Sequence, residues 1–452
     1  MEAPLRIAIT GMTKTGKSTL MNSLVQQYIV PTAVEVLTYN VNWFHHVKYS
    51  LNNEECIIVH FHNGDIEKYP LMELDAFVKY TDNNREYLDS IHWVDVFIDN
   101  PLLLEFDLID TPGLGSLVGT ESQHTRDLLT TDNNRPDAII YLMKKGIKYS
   151  DISIVKEFHE ATGLMSGINT VAAFSRVDEL NGGFMDAQEI INGNIQTHSE
   201  VKFYFSRIFP IAALMAECSF RLTSKDIRNL ITLASKDDIE DYFHNRAKFV
   251  EGTPYLNSNT REILCNNLSI SGIRLVISNI KSKRLLSETS IRQFLYDYSR
   301  VEFLKQYLIQ HFGQRAEFMR AQKAILRLKQ KCQECARSKT ITGSDRKSLL
   351  AVSRNLNSFM SSFEEEFAPF YILTDYYNKK DYFEETIWNR AKRVLGEYGD
   401  EDSTKFESDN NSNREDMIRR EKDFWLNTSY TYSIMSNLRG ADVARKIAEL
   451  IK

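Results

Sequence analysis

The sequence predicts an α/β fold, a mostly parallel sheet wrapped by helices, followed by an all-helical C-terminal region. Three observations carry this reading. Short apolar runs alternate with helix-period stretches as far as about residue 285. The first such pair, LRIAIT at 5–10 and STLMNSLVQQY at 18–28, is joined by a glycine-bounded loop. Beyond 285 the strand-like runs stop and apolar residues recur at three and four, the period of a helix face.

The elements follow in order. After the first strand and helix, residues 44–65 read as two strands around the polar turn Asn52, Asn53, Glu54, an antiparallel hairpin on the sheet edge. LLLEFDLID at 102–110, DAIIYLM at 137–143 and NTVAAFS at 169–175 are the next buried strands, with a helix at 150–160 between the last two. RIFPIA at 207–212 is another strand, and SGIRLVISNIKS at 271–282 is an amphipathic helix closing this half. Residues 293–338 form a helix or a helical hairpin, and the polar, acidic stretch 399–416 is a linker between helices. The domains are therefore 1–285 and 286–452.

A chain of 452 residues, 42% hydrophobic and 26% charged, can bury more than one core, which excludes a small scaffold held by disulfides. The net charge of −6, from 55 Lys+Arg against 61 Asp+Glu, argues against coating nucleic acid by bulk electrostatics. No apolar run approaches the roughly 18 residues that span a bilayer, and MEAPLRIAIT enters a strand pattern at once. The expectation is a soluble, cytoplasmic protein with reduced cysteines.

Gly11 to Ser18 spell GMTKTGKS, the pattern of a phosphate-binding loop between a strand and a helix. Its glycines let successive backbone N–H groups turn inward, and the helix adds its positive end. Lys17 is expected to reach the outer phosphates and Ser18 a magnesium ion. Mg²⁺ bridging two phosphates needs an acidic partner at a neighbouring strand end, which FDLIDTPGLGS supplies in Asp110. Three residues on, Gly113 can offer its N–H to a terminal phosphate.

With GMTKTGKS and DTPGLGS in place, the chain resembles the large GTPases of the dynamin superfamily, bacterial dynamin-like members in particular, over about residues 5–325. The resemblance implies nucleotide contacts from Gly11, Thr13, Lys14, Thr15, Gly16, Lys17, Ser18 and Thr19 of the loop. VPTAVEVLT at 30–38 looks like the first switch, with Thr32 as a metal and phosphate ligand beside Ser18 and Asp110; Thr38 is the alternative. SRVD at 175–178 stands where the family has T/N-K-x-D. Asp178 would accept two hydrogen bonds from guanine, the stem of Arg176 would cover the ring face, and Ser175 replaces a side chain that braces the loop. PIAALMAE at 210–217 is similar to the last base-contacting loop, with Ala212 and Ala213 offering backbone N–H groups.

Lys14 occupies the position that, in guanylate-binding proteins, holds an internal arginine finger. Two readings stand for it: a cation delivered in cis to the β–γ bridge, or a solvated lysine. Leu114 stands where Ras-like enzymes place a water-positioning glutamine, so water would be held by Thr32 or backbone such as Gly113. The function implied is magnesium-dependent GTP hydrolysis, stimulated when GTPase domains pair in a homodimer or with a second dynamin-like protein, and coupled to movement of a stalk-like helical arm. The alternative is a slow-hydrolysing, nucleotide-gated module that recruits a protein partner. Neither a proline-rich tail, with 9 Pro in the chain, nor a hydrophobic paddle is visible, so membrane fission is not implied and peripheral membrane contact stays open. Cys332 and Cys335 read as helix residues rather than a zinc pair, and His45, His46, His60 and His62 as strand faces rather than a metal site. The basic run Arg315 to Lys331 reads as a solvated helix face or, alternatively, a lipid contact.

Overall fold

The chain is seen in a computed structural model that describes residues 4–32, 39–78, 84–113, 125, 128–129, 136–144, 146–162, 167–282, 284–285, 287–313, 316–338, 341–362, 368–378, 380, 382–395 and 411–451. Nine strands form one sheet: β1 (Leu5–Gly11), β2 (Asn42–His46), β3 (Cys56–Phe61), β4 (Ile66–Pro70), β5 (Ile91–Ile98), β6 (Phe106–Asp110), β7 (Ala138–Met143), β8 (Thr170–Phe174) and β9 (Arg207–Pro210). Their order is β4-β3-β5-β2-β6-β1-β7-β8-β9. The run from β6 through β1, β7 and β8 to β9 is parallel throughout. Both faces of such strands are covered, which is why LRIAIT and AIIYLM are almost continuously apolar and buried.

The other wing of the sheet departs from the sequence-based expectation. Residues 44–65 do not form a hairpin of their own, because β5 lies between β2 and β3, parallel to one and antiparallel to the other. The hairpin is β3 with β4, and β2 is antiparallel to β6. The strand IHWVDVFI escapes a sequence reading because its polar residues break the apolar run, yet its inward Val94, Val96 and Ile98 are fully buried. In LLLEFDLID, only 106–110 is strand; Leu102–Glu105 is a single helical turn.

The helices of eight or more residues are α1 (Lys17–Val25), α2 (Tyr149–Thr162), α3 (Phe184–Thr197), α4 (Ala213–Arg221), α5 (Ser224–Ala234), α6 (Ser258–Lys281), α7 (Glu288–Ser299), α8 (Val301–Leu308), α9 (Ala316–Arg337), α10 (Gly343–Ser362), α11 (Ala368–Tyr377), α12 (Glu385–Val394), α13 (Asn411–Ile434) and α14 (Leu438–Leu450). Of the stretch 399–416 read as a linker, 411–416 open α13, and the rest lies outside the described residues. Helix α6 starts well before residue 271 and bends at Ser269, whose backbone has φ 61° and whose hydroxyl accepts the Gly272 N–H to cap the second half. By length and composition α6 could cross a membrane, contrary to the reading that no apolar run is long enough; here its Leu264, Leu268, Ile273, Val276 and Ile277 are buried in the protein core.

The chain divides into two units. The first comprises Met1–Ala161, Thr170–Val201 and Arg207–Ile309, and holds the sheet with α1 to α8. Within it, Arg292 of α7 donates to the Ser219 and Leu222 carbonyls at the end of α4, at 2.9 and 2.7 Å, satisfying orphan acceptors there. The second unit comprises Thr162–Asn169, Lys202–Ser206 and Gln310–Lys452. Its core gathers Tyr376, Tyr382, Phe383 and Trp388 at ring separations of 5.0–5.4 Å. Arg390 grips the Glu421 carboxylate with two bonds of 2.8 and 2.7 Å, and Glu421 also takes the Trp425 indole N–H.

Cys332 is buried and Cys335 exposed on α9, and no cluster of three or more metal-ligating side chains occurs among the described residues. His45 and His60 instead hydrogen-bond carboxylates on the sheet face. Of the basic run, Arg320 to Lys331 lie on α9, and Arg315 is outside the described residues.

Candidate nucleotide site

The GMTKTGKS loop leaves the C-terminal end of β1, an interior strand paired with β6 and β7, and enters α1. Gly11, at φ 145°, passes so close to β7 that a Cβ would lie 2.4 Å from the Leu142 carbonyl oxygen, so only glycine fits. Lys14 is left-handed at φ 62°, and Thr15 Oγ1 donates to the Met12 carbonyl at 2.8 Å, curling the loop on itself. Helix α1 begins with Gly16 as N-cap, has no side-chain cap and no acidic residue in its first turn. Its positive end therefore faces the loop with no acidic residue of its own helix beside it.

Lys17 is buried, and its ammonium donates to the Gly11 and Met12 carbonyls, both at 3.3 Å. Burial lowers its pKa to about 8, against the opposing pull of Asp110. Ser18 Oγ donates to Asp110 Oδ2 at 2.9 Å across 92 residues of sequence. A hydroxyl and a fully buried carboxylate, side by side at the head of α1, are the hard oxygen donors that suit Mg²⁺. Gly113 sits against the loop: a Cβ there would come within 2.6 Å of Thr13 Oγ1 and 2.7 Å of Thr13 Cα.

At the other end, Ser175 follows β8 and its hydroxyl donates to the Thr15 carbonyl at 2.8 Å, so the shorter side chain still braces the loop. Arg176, left-handed at φ 62°, donates to the Lys14 carbonyl at 2.9 Å and to Glu179 at 2.7 Å. Asp178 is buried, and desolvation together with the charge of Glu179 raises its pKa to about 6. The Ala212 N–H, expected at the base, instead donates to the Ser299 carbonyl at 3.0 Å, so it is already engaged by the end of α7. Ala213, the first residue of α4, does line the cavity.

Thr32 lines the same cavity, but its hydroxyl donates to Glu217 Oε1 at 2.7 Å. Glu217 also receives Arg221 Nη1 at 2.8 Å and Asn22 Nδ2 at 3.3 Å. Thr38 and Leu114 fall outside the described residues. One cavity of about 600 Å³ thus joins loop residues Thr13 to Thr19, Thr32, Gly113, Ser175, Arg176, Asp178 and Ala213. Its lining runs from the head of α1 to Asp178.

Residues 7–153 match the model of the dynamin family. The chain carries a dynamin-family domain. Isoniazid-induced protein IniC of Mycobacterium tuberculosis is 25% identical over 348 residues, covering 72% of this chain and 66% of that protein. Dynamin-like protein 2 of Campylobacter jejuni is 25% identical over 247 residues, covering 53% of this chain and 36% of that protein. The matched part of this chain thus spans slightly under two thirds of the first relative's length. Among solved structures, an oligomerised bacterial dynamin pair described as sensing and tethering membranes aligns over 99% of this chain and 84% of its own, at 14% identity and a TM-score of 0.34. Era of Aquifex aeolicus, bound to GDP and aluminium fluoride, aligns over 47% of this chain and 52% of its own, at 15% identity and a TM-score of 0.26.

The fold also brings side chains to the cavity that sequence reasoning missed. Lys144, at the end of β7, lies 3.5 Å from Glu179 beside the base end. Arg246, Asn266 and Ser269 form a wall from the α6 side, and Arg246 donates to Asn266 at 2.6 Å. Glu217 and Arg221 had one sequence signal, their (i, i+4) spacing just after the base loop, which by itself means no more than a helix-surface ion pair. Full burial of the Glu217 carboxylate is what sets it apart.

Proposed function

We propose that this dynamin-type GTPase domain performs magnesium-dependent hydrolysis of GTP, stimulated by pairing of GTPase domains and coupled to movement of the helical region. The observation carrying this reading is the Ser18–Asp110 pair beside the buried Lys17, with the carboxylate of Asp178 at the far end of the same cavity. On this reading residues 1–285 are the catalytic domain and 286–452 the arm.

Lys17 would shift from the loop carbonyls to the outer phosphate oxygens, while backbone N–H groups from Thr13 to Thr19 hold the β-phosphate. Ser18, Asp110 and Thr32 would hold magnesium, which when bound draws charge from the β- and γ-phosphate oxygens. Gly113 N–H would orient the γ-phosphate and the attacking water, and Lys14 would place its ammonium at the β–γ bridge once a partner domain orders the loop. Asp178 would read guanine by accepting from N1–H and the exocyclic amine, with Arg176, Ser175 and Ala213 around the ring. The partner would be a second copy or another dynamin-like chain, and the setting the cytoplasm, where the nucleotide is abundant.

The second reading, a slow nucleotide-gated recruiting module, is favoured by the engagement of Thr32 with Glu217 and Arg221. Phosphate release measured against protein concentration, in parallel with GTP and ATP, tests both. Specific activity with GTP that rises with concentration is the expected result. A flat line near zero, with tight GTP binding, favours the module, and equal rates with ATP overturn the guanine assignment.

A further inference from the structure

One wall of the cavity belongs neither to the loop at α1 nor to the turn that carries Asp178. It is built by Asn245 and Arg246, which precede the helical turn Lys248–Gly252, and by Asn266 and Ser269 of α6. Buried Arg261 fixes the first part onto the second, donating to the Val250, Tyr255 and Leu256 carbonyls at 2.5–2.9 Å. Helix α6 is in turn seated on α4: a Cβ at Gly272 would lie 2.7 Å from Met215 Cε, and the Cys218 thiol donates to the Asn267 carbonyl at 2.9 Å. It also packs against the turn Val177–Glu179. The wall therefore flanks the stretch of cavity between Asp178 and the head of α1.

Its polarity is one-sided. Asn266 Oδ1 accepts Arg246 Nη2 at 2.6 Å, Asn245 Oδ1 accepts the Lys248 N–H at 2.8 Å, and Ser269 Oγ accepts the Gly272 N–H at 3.2 Å. Each of these side-chain oxygens is thus engaged within the protein, whereas a guanidinium has five N–H donors, an amide two and a hydroxyl one. The Glu262 carboxylate, 3.6 Å from Arg246, is too distant to take a hydrogen bond. What the wall offers the cavity is donors. Resting on the magnesium-GTP reading above, which puts the ribose between base and phosphates, we propose that Arg246 and Asn266 donate to the 2′- and 3′-hydroxyl oxygens, and that the bend at Ser269 holds Asn266 at that edge. The site then selects ribonucleotides over deoxyribonucleotides. A site built to hydrogen-bond a hydroxyl rejects the analogue lacking it, because its donors are left facing a carbon that cannot accept. Arg246 and Asn266 determine specificity here and touch no reacting atom.

The test is binding of GDP and of 2′,3′-dideoxy-GDP, each with Mg²⁺, to the full chain and to Arg246→Ala and Asn266→Leu, with thermal melting as a check on folding. Wild type should favour GDP about tenfold, the effect of losing one charged and one neutral donor's partner. Each variant should cut that preference to about threefold or less by weakening GDP alone, with the dideoxy affinity unchanged. A merely structural role would weaken both nucleotides alike. A wild-type preference near one overturns the ribose assignment, leaves the guanine-nucleotide reading in place, and is read without any variant. A preference that persists in folded variants, or a parallel loss of both nucleotides, also overturns the assignment to Arg246 and Asn266. A wild-type chain that binds neither nucleotide overturns the guanine-nucleotide reading and the ribose assignment with it.

Discussion

The hydroxyl of Ser175 donates to the carbonyl oxygen of Thr15 at 2.8 Å, tying the end of β8 to the loop between β1 and α1. The Met143 carbonyl, 3.1 Å from the same hydroxyl oxygen, competes for that one proton, so the residue sits between three elements. Substituting Ser175→Ala should weaken GTP binding about fivefold, the effect of one lost neutral hydrogen bond, with no loss of guanine selectivity. Calorimetric titration checks this; a selective loss of discrimination against ATP would contradict it.

Two groups at opposite ends of the cavity predict a bell-shaped dependence of GTP affinity on pH. Asp178 must be ionised to accept from guanine, and burial raises its pKa to about 6, so affinity should fall as pH drops through that value. Lys17 must be charged to hold phosphate, and burial lowers its pKa to about 8 in the nucleotide-free protein, so affinity should fall as pH rises past that value. Binding above pH 8 should take up a proton, measurable as buffer-dependent heat. Lys17→Ala should lose about a hundredfold in affinity at neutral pH.

Asp178→Asn should remove the acid limb and invert the base preference. An amide offers one acceptor and one donor, matching N1–H and the C2 oxygen of xanthine rather than the two donors of guanine. Competition between GTP and XTP reads the change, with a preference for XTP expected.

Lys14→Ala separates the two readings of that side chain. Its backbone carbonyl already serves Arg176 at 2.9 Å and survives the substitution, so binding should change little. Turnover at protein concentrations that permit pairing should drop about a hundredfold if the ammonium meets the β–γ bridge. Unchanged turnover at those concentrations would remove Lys14 from catalysis.

Stability should carry the signature of His45. Burial opposes its charge, but hydrogen bonds from both ring nitrogens to Asp107 and Asp95, at 3.0 and 3.1 Å, outweigh it and raise the pKa to about 9. Because the folded value lies above the unfolded one, this stabilisation is complete below about pH 6.5 and is lost as pH rises through 9. Denaturant midpoints between pH 6 and 10 should fall accordingly, and His45→Asn should flatten that slope.

Some of this was legible because it is local. GMTKTGKS needs only contiguous residues: glycines that admit φ values of 145° and 97°, a threonine that bonds three residues back, and a helix whose first turn carries no acid. The buried strands β1, β6, β7 and β8 announce themselves because both faces are covered and most positions are apolar. IHWVDVFI did not, since a strand that puts His92, Trp93 and Asp95 on half-covered surface alternates in a way that also suits an insert. Its insertion between β2 and β3 depends on edge pairing, which no local pattern encodes.

Sequence by itself determined the glycine-bounded loop, the acidic strand end and the buried parallel core, because short-range backbone geometry and continuous burial leave few alternatives. Tertiary structure decided which partners each polar group takes. Thr32 meets Glu217 across 185 residues, and Ala212 gives its N–H to Ser299 rather than to the cavity. Hydrogen bonds between distant segments are settled only when packing fixes which buried donors and acceptors face one another, since a buried polar group must be satisfied by whatever the fold places beside it.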